Sequence, residues 1–232
     1  MAITEKAQME DLAYNYLQSY YSTRFNSPTY TFKDEKTKKG QFIDGLLALK
    51  EKDGAVFTAS FQASGTENVA RILKKYKKQG VSKWRFLSAT LSATLVAALV
   101  FKVMAAGLVY VIPATFIVLV ASFTGHTILE KRFLKAQVLK SVETLKEMPA
   151  NNLWLGITIS SLVFRNNALA TTLVEACKAS GIGLITVGKR SKVVLHTKPD
   201  SSKKYYRDYL VHYASEATIR KVLDSDTAMK VA

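Results

Sequence analysis

Near the start of the chain, Ile3, Ala7, Leu12, Ala13, Tyr16, Leu17 and Tyr20 recur at near-helical spacing behind Thr4, a suitable N-cap, which predicts an amphipathic helix over residues 3–21. Asn26, Ser27 and Pro28 end it. Apolar runs at 30–32, 41–49 and 55–63 follow, separated by a charged turn over 33–40 and by Lys52-Asp53-Gly54. They predict three antiparallel strands. Val69, Ile72 and Leu73 give one apolar side to a helix over 67–78.

The pattern then changes in kind. Residues 87–123 are apolar apart from one charge, Lys102. A single helix of that length would run roughly 55 Å, nearly twice the ~30 Å hydrocarbon thickness, and would bury the lysine. Two helices, over about 86–103 and 108–127, remove both problems: the turn falls on Met104-Ala105-Ala106-Gly107, and Lys102 can reach the far surface. Two adjacent stretches of this apolarity predict a transmembrane hairpin rather than a buried hairpin of a soluble fold. Ser88, Ala89, Ser92, Ala93, Ala97 and Ala98 suit close helix packing, within the hairpin or against a partner.

Past the hairpin, Leu129, Phe133, Ala136, Val138, Leu139, Val142 and Leu145 predict a helix over 128–147, stopped by Pro149 and Asn151-Asn152. A strand over 153–159, a helix over 167–180 ended by Gly181, and strands over 183–187 and 192–196 come next. Residues 201–223 predict a helix capped by Ser201 or Ser202, with Tyr205, Tyr209 and His212 near one face and Tyr206, Leu210, Tyr213 and Ala217 near another. Tyrosines so placed either dock that helix on protein or stack on bases. Neither half has enough strand surface to close a core alone. The expected organisation is therefore one α/β domain, with a mixed sheet flanked by helices, made of residues 1–80 and 129–199, interrupted by the hairpin at 81–128 and followed by the Tyr-rich helix at 200–232.

Charge adds orientation. The chain has 232 residues, 33 Lys plus Arg against 18 Asp plus Glu, and a formal charge of +15. Arg71, Lys74, Lys75, Lys77, Lys78, Lys83 and Arg85 precede the hairpin, and Lys131, Arg132, Lys135 and Lys140 follow it. A basic excess on both flanks predicts two passes with both termini cytoplasmic, in a bacterial inner membrane, and no secretory signal is legible in the polar first 30 residues. The Lys74, Lys75, Lys77 and Lys78 cluster serves topology, anionic lipid or a nucleic-acid backbone equally. Lys36, Lys38, Lys39, Lys50, Lys52, Lys189, Arg190, Lys192, Lys198, Lys203 and Lys204 keep the rest basic, so DNA stays open as a partner beside the bilayer, a second copy, or another subunit of a membrane complex.

One cysteine, Cys177, and the scattered His126, His196 and His212 exclude a disulfide framework and a Cys/His zinc cluster. There is no GxxxxGK[ST], GxGxxG or HExxH, and Gly181-Ile182-Gly183 follows a helix instead of opening one. Nucleotide-loop enzymes drop out, and two spans with only Lys102, Ser and Thr as polar groups make a poor conduction path.

A further pattern lies in Met9-Glu10-Asp11-Leu12-Ala13 on the first helix, Ile43-Asp44-Gly45 on a strand, Phe61-Gln62-Ala63-Ser64 on the next, and Leu155-Gly156-Ile157-Thr158-Ile159-Ser160-Ser161 with Gly181-Ile182-Gly183-Leu184-Ile185 in the second half. In this order the residues resemble the PD-(D/E)xK nuclease superfamily, and within it the Mrr-like restriction endonucleases. The resemblance implies a restriction-endonuclease-like sheet, Mg²⁺-dependent phosphodiester hydrolysis, and catalytic positions at Asp44, Gln62 and Ser64. Asp44 with Glu10 or Glu67 would hold the metal, and a lysine beside it would position water. Ser64 stands in the lysine's place and cannot supply its charge, although Lys74 or Lys75 could reach over. Asp44 also suits a plain turn cap, and Gln62 and Ser64 a satisfied sheet edge.

Overall fold

A computed structural model describes residues 2–63, 66–104, 108–188, 192–200 and 207–229. The elements run α1 (Ala2–Phe25), β1 (Thr29–Lys36), β2 (Phe42–Lys50), β3 (Val56–Gln62), α2 (Thr66–Gln79), α3 (Trp84–Met104), α4 (Leu108–Lys146), β4 (Asn152–Ile157), α5 (Ala168–Ala179), β5 (Ile182–Val187), β6 (Val193–Thr197) and α6 (Glu216–Met229). The chain divides into two units: Met1–Lys74 with Val138–Ala232, and Lys75–Gln137.

The first unit is a mixed α/β structure with a six-stranded sheet in chain order, β1 to β6. β1, β2 and β3 form an antiparallel meander. β4 joins β3 in parallel, β5 joins β4 in parallel, and β6 closes the edge antiparallel. Strands from before and after the hairpin thus pair side by side, because a parallel neighbour must come from a distant part of the chain.

Side chains alternate across this sheet. One face gathers Leu47, Leu49, Phe57, Ala59, Phe61, Trp154, Ile185 and Val187 beneath Ala13, Tyr14, Leu17 and Tyr21 of α1 in one buried cluster. Their spacing on α1 fits one stripe of a 3.6-residue helix, but its centre is shifted from the expected face: Tyr14 and Tyr21 are in the core, while Leu12, Tyr16 and Tyr20 are only partly buried at its margin. The buried hydroxyl of Tyr21 accepts from Asn152 Nδ2 at 2.8 Å and from Trp154 Nε1 at 2.6 Å, which satisfies both donors in the core. The other face is covered by α5 on β5 and β6 and by α6 on β2. Asn167 fixes the start of α5: its Oδ1 accepts from the Leu169 and Ala170 amides, and its Nδ2 donates to Leu73 O and Val163 O.

The tail differs from the single helix expected over 201–223. Its N-caps Ser201 and Ser202, and Tyr205 and Tyr206, lie outside the described residues. Tyr209–His212 form a 3₁₀ turn capped by Asp208, and the α-helix starts only at Glu216. Burial overrides helical continuity here. Tyr213 is fully buried and extended, bridges to Thr37, and donates its hydroxyl to Pro149 O at 2.7 Å.

The second unit holds α3 and most of α4. Contacts between them run antiparallel: Phe86 meets Phe123 at 5.2 Å between ring centroids, and Ser82 N–H donates to Glu130 Oε1 at 2.8 Å. Ala89 and Ala93 are buried along α3, as close packing through small residues requires, while Ala98 is exposed. The turn at 105–107 lies outside the described residues. Both helices are long and apolar enough to cross a membrane. Their apolar side chains are turned outward: Leu91, Phe116 and Ile117 are each about two-thirds exposed. Instead of two helices meeting near residue 128, α4 is one helix of 39 residues, roughly 58 Å long, that continues past the apolar stretch. Nothing between Thr127 and Lys131 breaks a helix, so the apolar and polar segments fuse.

Candidate functional site

Of the positions singled out in the sequence, Asp44 on β2 and Gln62 on β3 stand at one end of the sheet. Gly45 pairs with Phe61, so Asp44 and Gln62, one step further along, stand opposite each other on the same face. They lie at the end of the sheet where the parallel strands β3, β4 and β5 leave it, the usual ligand edge of a parallel sheet.

Local demands of the backbone explain the arrangement. β3 stops at Gln62, which leaves the Ala63 amide without a ladder partner. Asp44 Oδ2 accepts it at 2.5 Å. Ala63 O in turn accepts from Thr66 N at 3.2 Å and Thr66 Oγ1 at 2.6 Å, at the start of α2. Asp44 and Thr66 therefore pin the exit from β3 from two sides, and the carboxylate does the work of a cap. Gln62 Oε1 and Ser60 Oγ on the same face are buried without a hydrogen-bond partner. Ser64 lies outside the described residues.

Tyr14 ties α1 to this end of the sheet, and the sequence pattern gave no role to it beyond its helix. Its ring lies over Gly45, where a Cβ would sit 2.2 Å from Cε1. Its hydroxyl donates to Asp44 O at 2.7 Å. Burial, and then the charges of Asp44, Glu10, Asp34 and Asp11, push its pKa well above the ordinary tyrosine value, so it remains a neutral donor. Lys33 crosses above the same ring at 5.3 Å and pairs with Asp11 at 2.5 Å. The signal available in the sequence was the Asp-Gly pair on β2, since a glycine inside a strand often marks a close approach.

Glu10 acts on Tyr14 from α1, whereas Glu67 is exposed on the first turn of α2. Among the described residues no three His, Cys, Asp or Glu side chains gather into a metal-binding group. Mg²⁺ asks for near-octahedral oxygen ligands. With Asp44 engaged by Ala63 N–H and Gln62 offering one amide oxygen, the described residues do not fit the ion by themselves.

The basic positions divide. Lys74, Lys75, Lys77 and Lys78 are all exposed on the second half of α2, whose opposite side carries the buried Val69 and Leu73. Lys38 pairs with Glu216 at 3.0 Å and Lys50 with Asp224 at 2.9 Å, so these lysines fasten β2 and the turn before it to α6. Lys39 and Lys52 remain exposed. Lys189, Arg190, Lys203 and Lys204 lie outside the described residues. At the opposite edge His196 Nε2 is 3.0 Å from Thr186 Oγ1 and its ring stacks on Phe164 at 4.3 Å. Burial lowers its pKa, as for a histidine used in packing. Burial likewise pushes the Cys177 thiol up to about 12, which makes it inert.

No family model, curated protein or solved structure matches this chain.

Proposed function

We propose that this chain is a membrane-anchored, restriction-endonuclease-like protein that binds DNA at the cytoplasmic face of a bacterial inner membrane without cutting it. The observation that carries this reading is the position of Asp44 and Gln62, each one step beyond the Gly45–Phe61 pair of adjacent strands, at the edge where the parallel strands exit an antiparallel meander extended by β4 and β5. That order of helix, three antiparallel strands, helix and parallel strand is what the PD-(D/E)xK resemblance implies. Two features support a site that no longer hydrolyses. Asp44 is engaged as a strand cap, and the position of the catalytic lysine is a serine. The exposed lysines of α2 and the +15 formal charge suit the backbone of a nucleic acid.

The test is duplex-DNA binding and plasmid nicking by the full chain in lipid nanodiscs with Mg²⁺ or Mn²⁺. Asp44→Asn is the useful variant, because it keeps an oxygen for Ala63 N–H while removing the charge. The reading expects salt-sensitive retention of DNA and no nicked circle from either protein. Nicking that disappears in Asp44→Asn would establish instead an active metal-dependent endonuclease. Absence of DNA binding would overturn the nucleic-acid role and leave assembly with another membrane subunit or a second copy.

A further inference from the structure

At the foot of the apolar hairpin, Arg85 in the first turn of α3 places its guanidinium carbon 5.2 Å from the Phe86 ring centroid and 5.0 Å from that of Phe123 on α4. Nε is buried without a hydrogen-bond partner, and no carboxylate pairs with the group among the described residues. The only carboxylate between residues 75 and 137 is Glu130. It is occupied, accepting the Ser82 amide at 2.8 Å and lying 3.9 Å from His126 Nε2. The same unit carries exposed Lys83, Lys131, Arg132 and Lys135. Exposed Trp84, Leu87, Ile128, Leu129 and Phe133 are interleaved with these cations, which is the composition of a surface at the depth of lipid headgroups.

We propose that Arg85, held between Phe86 and Phe123, binds the phosphate of an anionic phospholipid headgroup. The inference rests on the membrane-spanning part of the function proposed above. A planar guanidinium takes a phosphate through two parallel N–H donors, and the flanking rings hold the plane in place. Among the described residues no carboxylate takes the terminal N–H groups of this guanidinium, and a phosphate would supply their acceptors. Surplus positive charge around the seat favours an anionic lipid over a zwitterionic one. The aromatic walls belong to the apolar helices, which places the seat where a lipid phosphate lies and favours lipid over a nucleic-acid backbone.

The experiment reconstitutes the full chain in bilayers mixing phosphatidylcholine with phosphatidylglycerol, checks that it resists alkaline carbonate extraction, and reads the lipids retained after detergent release by native mass spectrometry. The wild-type chain should retain phosphatidylglycerol preferentially. Arg85→Gln should lower the ratio of phosphatidylglycerol to phosphatidylcholine roughly fivefold, and Arg85→Lys should lose less. Lys39→Gln, an exposed change in the sheet unit, should leave the ratio as it is. An inserted Arg85→Gln protein with the wild-type ratio would overturn the inference alone. Displacement of phosphatidylglycerol by a DNA duplex would also overturn it, by making the seat a nucleic-acid contact. Carbonate release of the wild-type chain would overturn the spanning reading itself, and the inference with it.

Discussion

Gly45, Gly156 and Gly183 each lie under an aromatic ring, where a Cβ would stand 2.2 Å from Tyr14, 2.4 Å from Phe61 and 2.4 Å from Trp154. Replacing Gly183 by alanine drives a methyl into an indole fixed by Tyr21, so we expect a loss of about 1–3 kcal/mol, read as a lower thermal midpoint in detergent. A wild-type midpoint would show that the indole can shift. Tyr21→Phe removes the acceptor of two buried donors, Asn152 Nδ2 and Trp154 Nε1. Its thermal midpoint should fall by roughly 4–10 °C, and a change within error would contradict the network. Cys177 should resist maleimide at pH 8 in the folded chain and react once unfolded, since its buried thiol is pushed up to about 12. At this scale the sequence singled out Asp44 and Gln62 through a family resemblance, and the register of β2 on β3 sets them at the same end of the sheet. It did not mark Tyr14 or Thr66, whose roles depend on strand register and on where β3 ends.

Among elements, those driven by their own periodicity were legible: α1, α5 and the three-stranded meander form near where apolar spacing puts them, except that β1 runs on to Lys36 through residues expected as a charged turn, because pairing with β2 holds the charged segment in the ladder. The tail was not, because Tyr213 satisfies a long-range need. Its side chain fills the core and its backbone bridges to Thr37, so the chain extends before α6 can begin. α6 is then tied down by charge. Glu216 accepts from Lys38 and from Arg220, and these hydrogen bonds hold its pKa below the usual glutamate range. A carboxylate depressed in the folded state contributes stability that is present above its unfolded pKa and is lost as pH falls through the folded one. Protection factors of α6 amides, taken against the intrinsic exchange rate at each pH, should therefore fall as the pH drops below the ordinary glutamate pKa of about 4.3, and Arg220→Gln should lower them already at neutral pH. Equal protection factors across that range would show that packing of Ile219 and Leu223 alone holds the helix. The N-cap of α5 gives a second case at this scale. Asn167→Ala removes acceptors for two amides and donors to Leu73 O and Val163 O. It should cost about 1–3 kcal/mol, visible in the thermal midpoint, whereas an exposed change such as Lys39→Gln should leave the midpoint unchanged.

At the scale of the whole molecule, residues from both sides of 75–137 build one sheet, as β3 and β4 pair directly in parallel. That much was legible from strand surface alone, since neither half could close a core. The two outward-facing apolar helices were also legible, by length and composition. The proposed function joins these parts: a hairpin that crosses the bilayer would tether the sheet domain to the membrane, with both basic flanks on the cytoplasmic side. The direct measurement is alkaline carbonate extraction combined with protease protection of the full chain, tagged at both ends, in bacterial inner membranes. The account predicts a chain that stays in the membrane pellet, with both tags protected in spheroplasts and digested once the membrane is opened. Release into the supernatant, or digestion of either tag from outside intact spheroplasts, would contradict it.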